Sequence, residues 1–143
     1  MPLSADHPRQ KLNFYPDNAT KFQKENILSL LFSDLQSLRN WIIAPPKPLF
    51  ADEAADKEPC GGYLEIYSAL EPLNLPKDID LGHYEEVTLL ISKLCEISKA
   101  EGLAFEIELD DDYVGAIERG RADNTLSEGF IGTWHYELES RNA

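Results

Sequence analysis

A chain of 143 residues suits one domain with one core, and 43% apolar with 27% charged residues predicts a folded protein rather than a disordered acidic tail. The formal net charge is −13 and uneven: residues 1–44 carry 5 Lys/Arg against 4 Asp/Glu, 45–100 carry 5 against 11, and 101–143 carry 3 against 11. Without a Lys/Arg cluster, direct binding to nucleic acid or to an anionic membrane is not expected, whereas a basic protein partner is favoured, chiefly through its on-rate. The plainer alternative is that the charge only keeps the protein soluble.

No apolar run reaches the length of a membrane span, and the opening MPLSADHPRQKLNFYP has no apolar core of a secretory signal. The two cysteines, Cys60 and Cys95, lack close spacing. They are expected to be reduced thiols of a cytoplasmic protein.

Residues 1–19, with three prolines, predict an irregular N-terminal arm anchored by Phe14 and Tyr15, ahead of a single domain over 20–143. A first helix is expected over 20–43. Ile27, Leu31, Leu35, Leu38 and Ile42 form its inward stripe, Leu28, Phe32 and Trp41 widen it, and Pro45-Pro46 ends it. So wide an apolar face makes the helix at 20–43 a candidate homodimer surface.

Residues 44–62 (APPKPLFADEAADKEPCGG) read as a long acidic loop that Leu49 and Phe50 tack to the body; loops of that length are often functional. Tyr63 to Tyr67 is compatible with strand or short helix, and 72–82 reads as irregular. A second helix over 83–100 places Val87, Leu90, Ile91, Leu94 and Ile97 on one face, and Gly102 stops it.

Leu103, Phe105, Ile107 and Leu109 alternate with polar residues, the mark of a half-buried strand, and Tyr113 to Ile117 is its expected hairpin partner. Two registers are possible: a three-residue turn, Asp110-Asp111-Asp112, sets Leu109 opposite Tyr113, Ile107 opposite Gly115 and Phe105 opposite Ile117, whereas a two-residue turn would set Phe105 opposite Glu118; the first is expected, because it keeps the apolar side chains on one face. A last helix over 125–139 starts at the capping box Thr125-Leu126-Ser127-Glu128 and turns Leu126, Phe130, Trp134 and Leu138 inward, with Ile131 beside them. The expected fold is α+β: about three helices packed on a short antiparallel sheet that includes the 103–118 hairpin.

The stretch DDDYVGAIERGR invites a calcium reading, because Asp110, Asp112 and Gly115 fall on the first, third and sixth positions of an EF-hand loop. The twelfth position, which must supply a bidentate carboxylate, is Arg121, so the reading fails. Turn-forming aspartates and the solvent side of a hairpin account for these acids. None of His7, His83 and His135 has metal-ligand spacing, a Cys60/His dyad is conceivable but supported by no nucleophile signature, and no phosphate loop, dinucleotide fingerprint or nucleophile elbow occurs. No metal, cofactor or catalytic residue is therefore expected.

The leading expectation is a protein-binding module for a basic partner, sharpest as an immunity or inhibitor protein that neutralises a basic enzyme. Glu106, Glu108, Asp110, Asp111, Asp112, Tyr113 and Glu118 are the expected contact surface, with Trp134, Tyr136 and Glu137 continuing the mixture of aromatics and acids. The alternatives are a small enzyme or ligand binder with a pocket near Cys60, His83 and His135, and a homo-oligomeric structural protein.

Overall fold

The computed structural model describes residues 7–17, 21–50, 59–68 and 75–140. It is an α+β structure: strands β1 (Arg9–Asp17), β2 (Lys47–Phe50), β3 (Pro59–Tyr67), β4 (Ala104–Leu109), β5 (Asp112–Glu118) and β6 (Arg121–Ala122) make one antiparallel sheet in the order β2-β3-β1-β4-β5-β6. Helices α1 (Lys21–Gln36) and α2 (Lys77–Glu101) pack on it, together with a π-helical segment, Thr125–Gly132, that runs on into α3 (Thr133–Ser140).

Burial follows the two-residue period of the strands. Leu12, Phe14, Leu64, Ile66, Phe105, Ile107 and Ile117 share one core with Leu28, Leu31 and Leu35 of α1, Val87, Leu90, Ile91 and Leu94 of α2, and Leu126. The residues between them (Lys11, Asn13, Tyr15, Tyr63, Glu65, Glu106, Glu108) lie on the opposite face.

The expected N-terminal arm is instead the centre of the sheet. β1 lies between β3 and β4, with Leu12 opposite Leu64 on one side and Leu109 on the other. Pro16 is tolerated there for a geometric reason. Lys11 bonds towards β4, its N–H to Asp110 Oδ1 and its carbonyl to the Asp110 N–H. By alternation Pro16 faces β3, whose pairing ends at Phe14↔Gly62, so its missing N–H interrupts no ladder.

Residues 44–62 are not one long loop either. β2 pairs with β3 from Lys47↔Tyr63 onwards, β3 starts at Pro59, and Tyr63 to Tyr67 is strand. Residues 51–58 and the side chains of Ile27, Leu49, Phe50 and Cys60 lie outside the described residues. Gly62 is a packing residue rather than a flexible one: any Cβ there would strike the rings of Phe14 and Phe32.

α1 stops at Gln36, before the prolines, and leaves Leu38 and Ile42 exposed. Two side chains stabilise the earlier stop. The Trp41 indole N–H donates to the Leu35 carbonyl at 2.9 Å, and Glu86 Oε2 accepts the Ile42 N–H at 2.6 Å. α2 begins a turn and a half before the expected start, directly after Pro76, with Asp78 and Asp80 in its first turn where the helix dipole favours acids. It ends, as expected, at Gly102, left-handed at φ 70°.

The β4–β5 pairs Phe105↔Ile117 and Ile107↔Gly115 are as expected, but a bulge follows. Glu108 then meets Tyr113 and Leu109 meets Asp112, so the turn is two residues, Asp110 and Asp111, with Asp110 at φ 55°. Gly115 (φ 145°) seats the C-terminal segment: a Cβ there would collide with the backbone of Leu126. The cap of that segment is Asp123, whose Oδ1 accepts the Leu126 N–H at 2.9 Å, in place of the expected Thr125 box.

Candidate functional site

The seven residues expected to form a contact surface separate into three groups. Glu106, Glu108, Tyr113 and Glu118 follow the alternation onto the face of the sheet turned away from the helices. Tyr113, 55% exposed, stands opposite Glu108. Partial desolvation, then the charges of Asp123 and Glu106, a hydrogen bond to Asp123 and the charge of Glu118 push its phenol above the ordinary range. It therefore remains a neutral donor. Glu118 faces Arg121 across the β5–β6 pair, which offsets part of its charge.

Asp111 and Asp112 are exposed at the hairpin tip. As the register partner of Leu109, Asp112 leaves the sheet on the helix side. Asp110 differs from both. Its Oδ1 accepts the Lys11 N–H at 2.9 Å, its Oδ2 the Gln10 side-chain amide at 3.3 Å, and its carbonyl the Asn13 amide at 2.9 Å. The carboxylate serves as an extra rung between β1 and the turn, so it is committed to the fold.

On the helix side of this tip, a pocket of about 220 Å³ opens between the sheet and the C-terminal helix. Gln10, Ile66, Tyr67 and Leu109 line it from the sheet, and Phe130, Thr133, Trp134 and Glu137 from the helix, with Gly129 completing the wall. Three to four residues apart, Phe130, Trp134 and Glu137 share one helical face. The Trp134 ring is fixed by its Nε1–H bond to the buried Asp80 carboxylate at 2.8 Å and by an edge contact with Tyr84 at 5.6 Å. The π-helical stretch that carries Gly129 and Phe130 spans eight residues; such geometry is rare and is frequent at functional sites.

The pocket is not the one sequence reasoning pointed to. His83 is 1% exposed and structural. Its Nε2 accepts the Tyr67 N–H at 3.1 Å, which places the proton on Nδ1, 2.7 Å from Glu86 Oε1. His135 is exposed, 3.3 Å from Glu139 on its own helix, with its ring against Tyr84. The Cys60 side chain lies outside the described residues. Cys95 is half-buried, and burial pushes its thiol up despite a hydrogen bond from the Ala122 backbone that pulls it down, so it is a poor nucleophile. Among the described residues, no three His, Cys, Asp or Glu are arranged to hold a metal ion. No helix among them is long and apolar enough to cross a membrane.

Trp134 and Glu137 were visible as an aromatic–acid pair, but their partners Ile66, Tyr67 and Gln10 come from strands that the proline-rich and glycine-rich segments concealed. No known protein family, curated protein or solved structure matches the chain.

Proposed function

We propose that the chain is a small cytoplasmic protein-binding module of the immunity or inhibitor type, which holds a basic protein partner on the acidic outer face of the β4–β5 hairpin. One observation carries this reading: Tyr113, 55% exposed, stands on the sheet face turned from the helices with Glu106, Glu108 and Glu118 around it. An exposed aromatic ringed by charge of one sign supplies both an anchor and electrostatic steering. Asp111 and Asp112 extend the field at the tip, whereas Asp110, hydrogen-bonded to β1, adds its charge but no free side chain for a partner. A basic enzyme blocked across its anion-binding cleft is the partner that this chemistry suits best.

Replacing Glu106, Glu108 and Glu118 together by Gln removes three charges without touching the core. Affinity for the partner should fall at least ten-fold, mostly through a slower on-rate, while the thermal midpoint stays within a few degrees. Unchanged affinity in the triple variant would overturn the assignment.

Self-association through 20–43 is the second reading, favoured by the 67% exposure of Leu30 on α1. A Leu30→Lys variant with the sedimentation coefficient of the wild type at every concentration would exclude it.

A further inference from the structure

We propose that the pocket between the C-terminal helix and the hairpin end of the sheet binds an organic cation, an ammonium or guanidinium head carried on an apolar stem. The inference rests on the pocket alone and stands whether or not the hairpin face holds a partner.

Size sets the class. About 220 Å³ is below the roughly 300–1,000 Å³ of drug- and cofactor-sized sites, and suits a small amine or one long side chain. The walls set the body of the ligand: Ile66 and Leu109 are aliphatic, and Phe130, Trp134 and Tyr67 are aromatic. Phe130 and Trp134 lie 5.7 Å apart at an interplanar angle of 53°, two ring surfaces inclined to each other on one wall. Ring faces attract cations through their quadrupole, and Trp does so most strongly. The Asp80 bond consumes the only polar atom of the indole and fixes the ring without using its face.

Charge sets the head group. Glu137 is the only charged residue in the lining, and among the described residues it makes no hydrogen bond or ion pair. Asp112 leaves the tip on the pocket's side, and Asp110 holds Gln10 in the wall. Arg9 is the nearby cation to weigh against this. It lies 5.5 Å from the Tyr67 ring centre and is paired with Glu65 at 3.4 Å, so its charge is already matched. It also occupies Tyr67, which leaves Trp134, Phe130 and Glu137 as the recognising groups. An anionic ligand would be repelled by the Glu137 carboxylate, and a neutral one would gain nothing from it.

The cation has two sources, a free amine or a Lys or Arg side chain presented by a protein. Trp41→Phe in the full chain leaves Trp134 as the sole indole. Its emission is followed during titration with n-butylammonium, with 1-butanol as the uncharged counterpart, and with Nα-acetyl-lysine methylamide. Saturable change with the cations, at least ten-fold weaker with butanol, is expected. Glu137→Gln should weaken the cations about ten-fold. Gly129→Leu, where an added Cβ meets only the Asn124 carbonyl at 3.9 Å, should abolish binding with an unchanged circular-dichroism spectrum. Tighter binding of the lysine derivative assigns the site to a partner's side chain, and tighter binding of butylammonium to a free amine. Absence of saturation with every cation, butanol binding equally well, or insensitivity to Glu137→Gln would each overturn the proposal. The last variant changes an exposed residue, so it remains decisive if Gly129→Leu fails to fold.

Discussion

His83 and Glu86 tie α2 by hydrogen bonds to two segments, the end of β3 and the chain beyond α1. One imidazole and one carboxylate, each 1% exposed, take the N–H groups of Tyr67 at the end of β3 and of Ile42 beyond α1. His83→Ala would leave the Tyr67 N–H without its acceptor and the buried Glu86 side chain without one of its two donors, so a loss of about 3 kcal/mol is expected in urea unfolding. A surface histidine costs less than about 0.5 kcal/mol, and a value that small would refute the network.

The same accounting separates the three aspartates of the tip. Asp110→Ala removes the acceptor of the Lys11 N–H and should cost about 1 kcal/mol, whereas Asp111→Ala should stay within about 0.5 kcal/mol. Equal costs at both positions would show the β1 contact to be idle. Sequence alone ranked the three aspartates together, because a turn aspartate and a ladder-capping aspartate look identical until the neighbouring strand is known.

Among the elements, the well-read ones bury one face locally. Helix α2 and the Phe105–Ile117 hairpin carry their own periodicity, and both were legible over most of their length. β1 and β3 were concealed because their alternation is interrupted: Pro16 reads as part of an irregular arm, and Gly61-Gly62 as the end of a loop. In the fold, Pro16 sits past the last β3 pair, and Gly62 makes room for Phe14 and Phe32. The extra residue of the β5 bulge was equally invisible, since it is set by where the C-terminal segment lands on Gly115.

Gly115→Ala should therefore cost about 2–4 kcal/mol, from the collision with Leu126 and the unfavourable φ together, whereas the same change at the open Gly129 should be neutral or stabilising. Thermal midpoints of the two variants make the comparison.

Cys95 is the titrating thiol on the inner side of α2. Its folded pKa is raised, so its stabilising contribution is complete below the ordinary thiol range of about 8.5 and is lost as pH climbs through the folded value. Wild type should lose more stability than Cys95→Ala between pH 7 and pH 10. Parallel losses would place the thiol in water.

Across the whole molecule, the charge divides by sequence and so does the surface. The strands from the first two thirds bring Arg9, Lys11 and Lys47 to the sheet, two of them placed over tyrosine rings: Arg9 on Tyr67 and Lys11 on Tyr63 at 4.8 Å. The hairpin brings Glu106, Glu108, Glu118 and the tip aspartates. The charge split was readable from the sequence, but its placement on one open sheet face was not, since that requires β1 to lie between β3 and β4.

A field of this kind acts over a Debye length of about 10 Å at 0.1 M salt and fades beyond it. The most direct measurement is capture from the source cell's lysate on immobilised wild type and on the Glu106/Glu108/Glu118→Gln variant, at about 50 mM and about 200 mM salt. A basic protein should be held by wild type at the lower salt, largely released at the higher, and absent from the variant at both. A partner held equally by both proteins, or retained regardless of salt, would contradict the assignment of the acidic face.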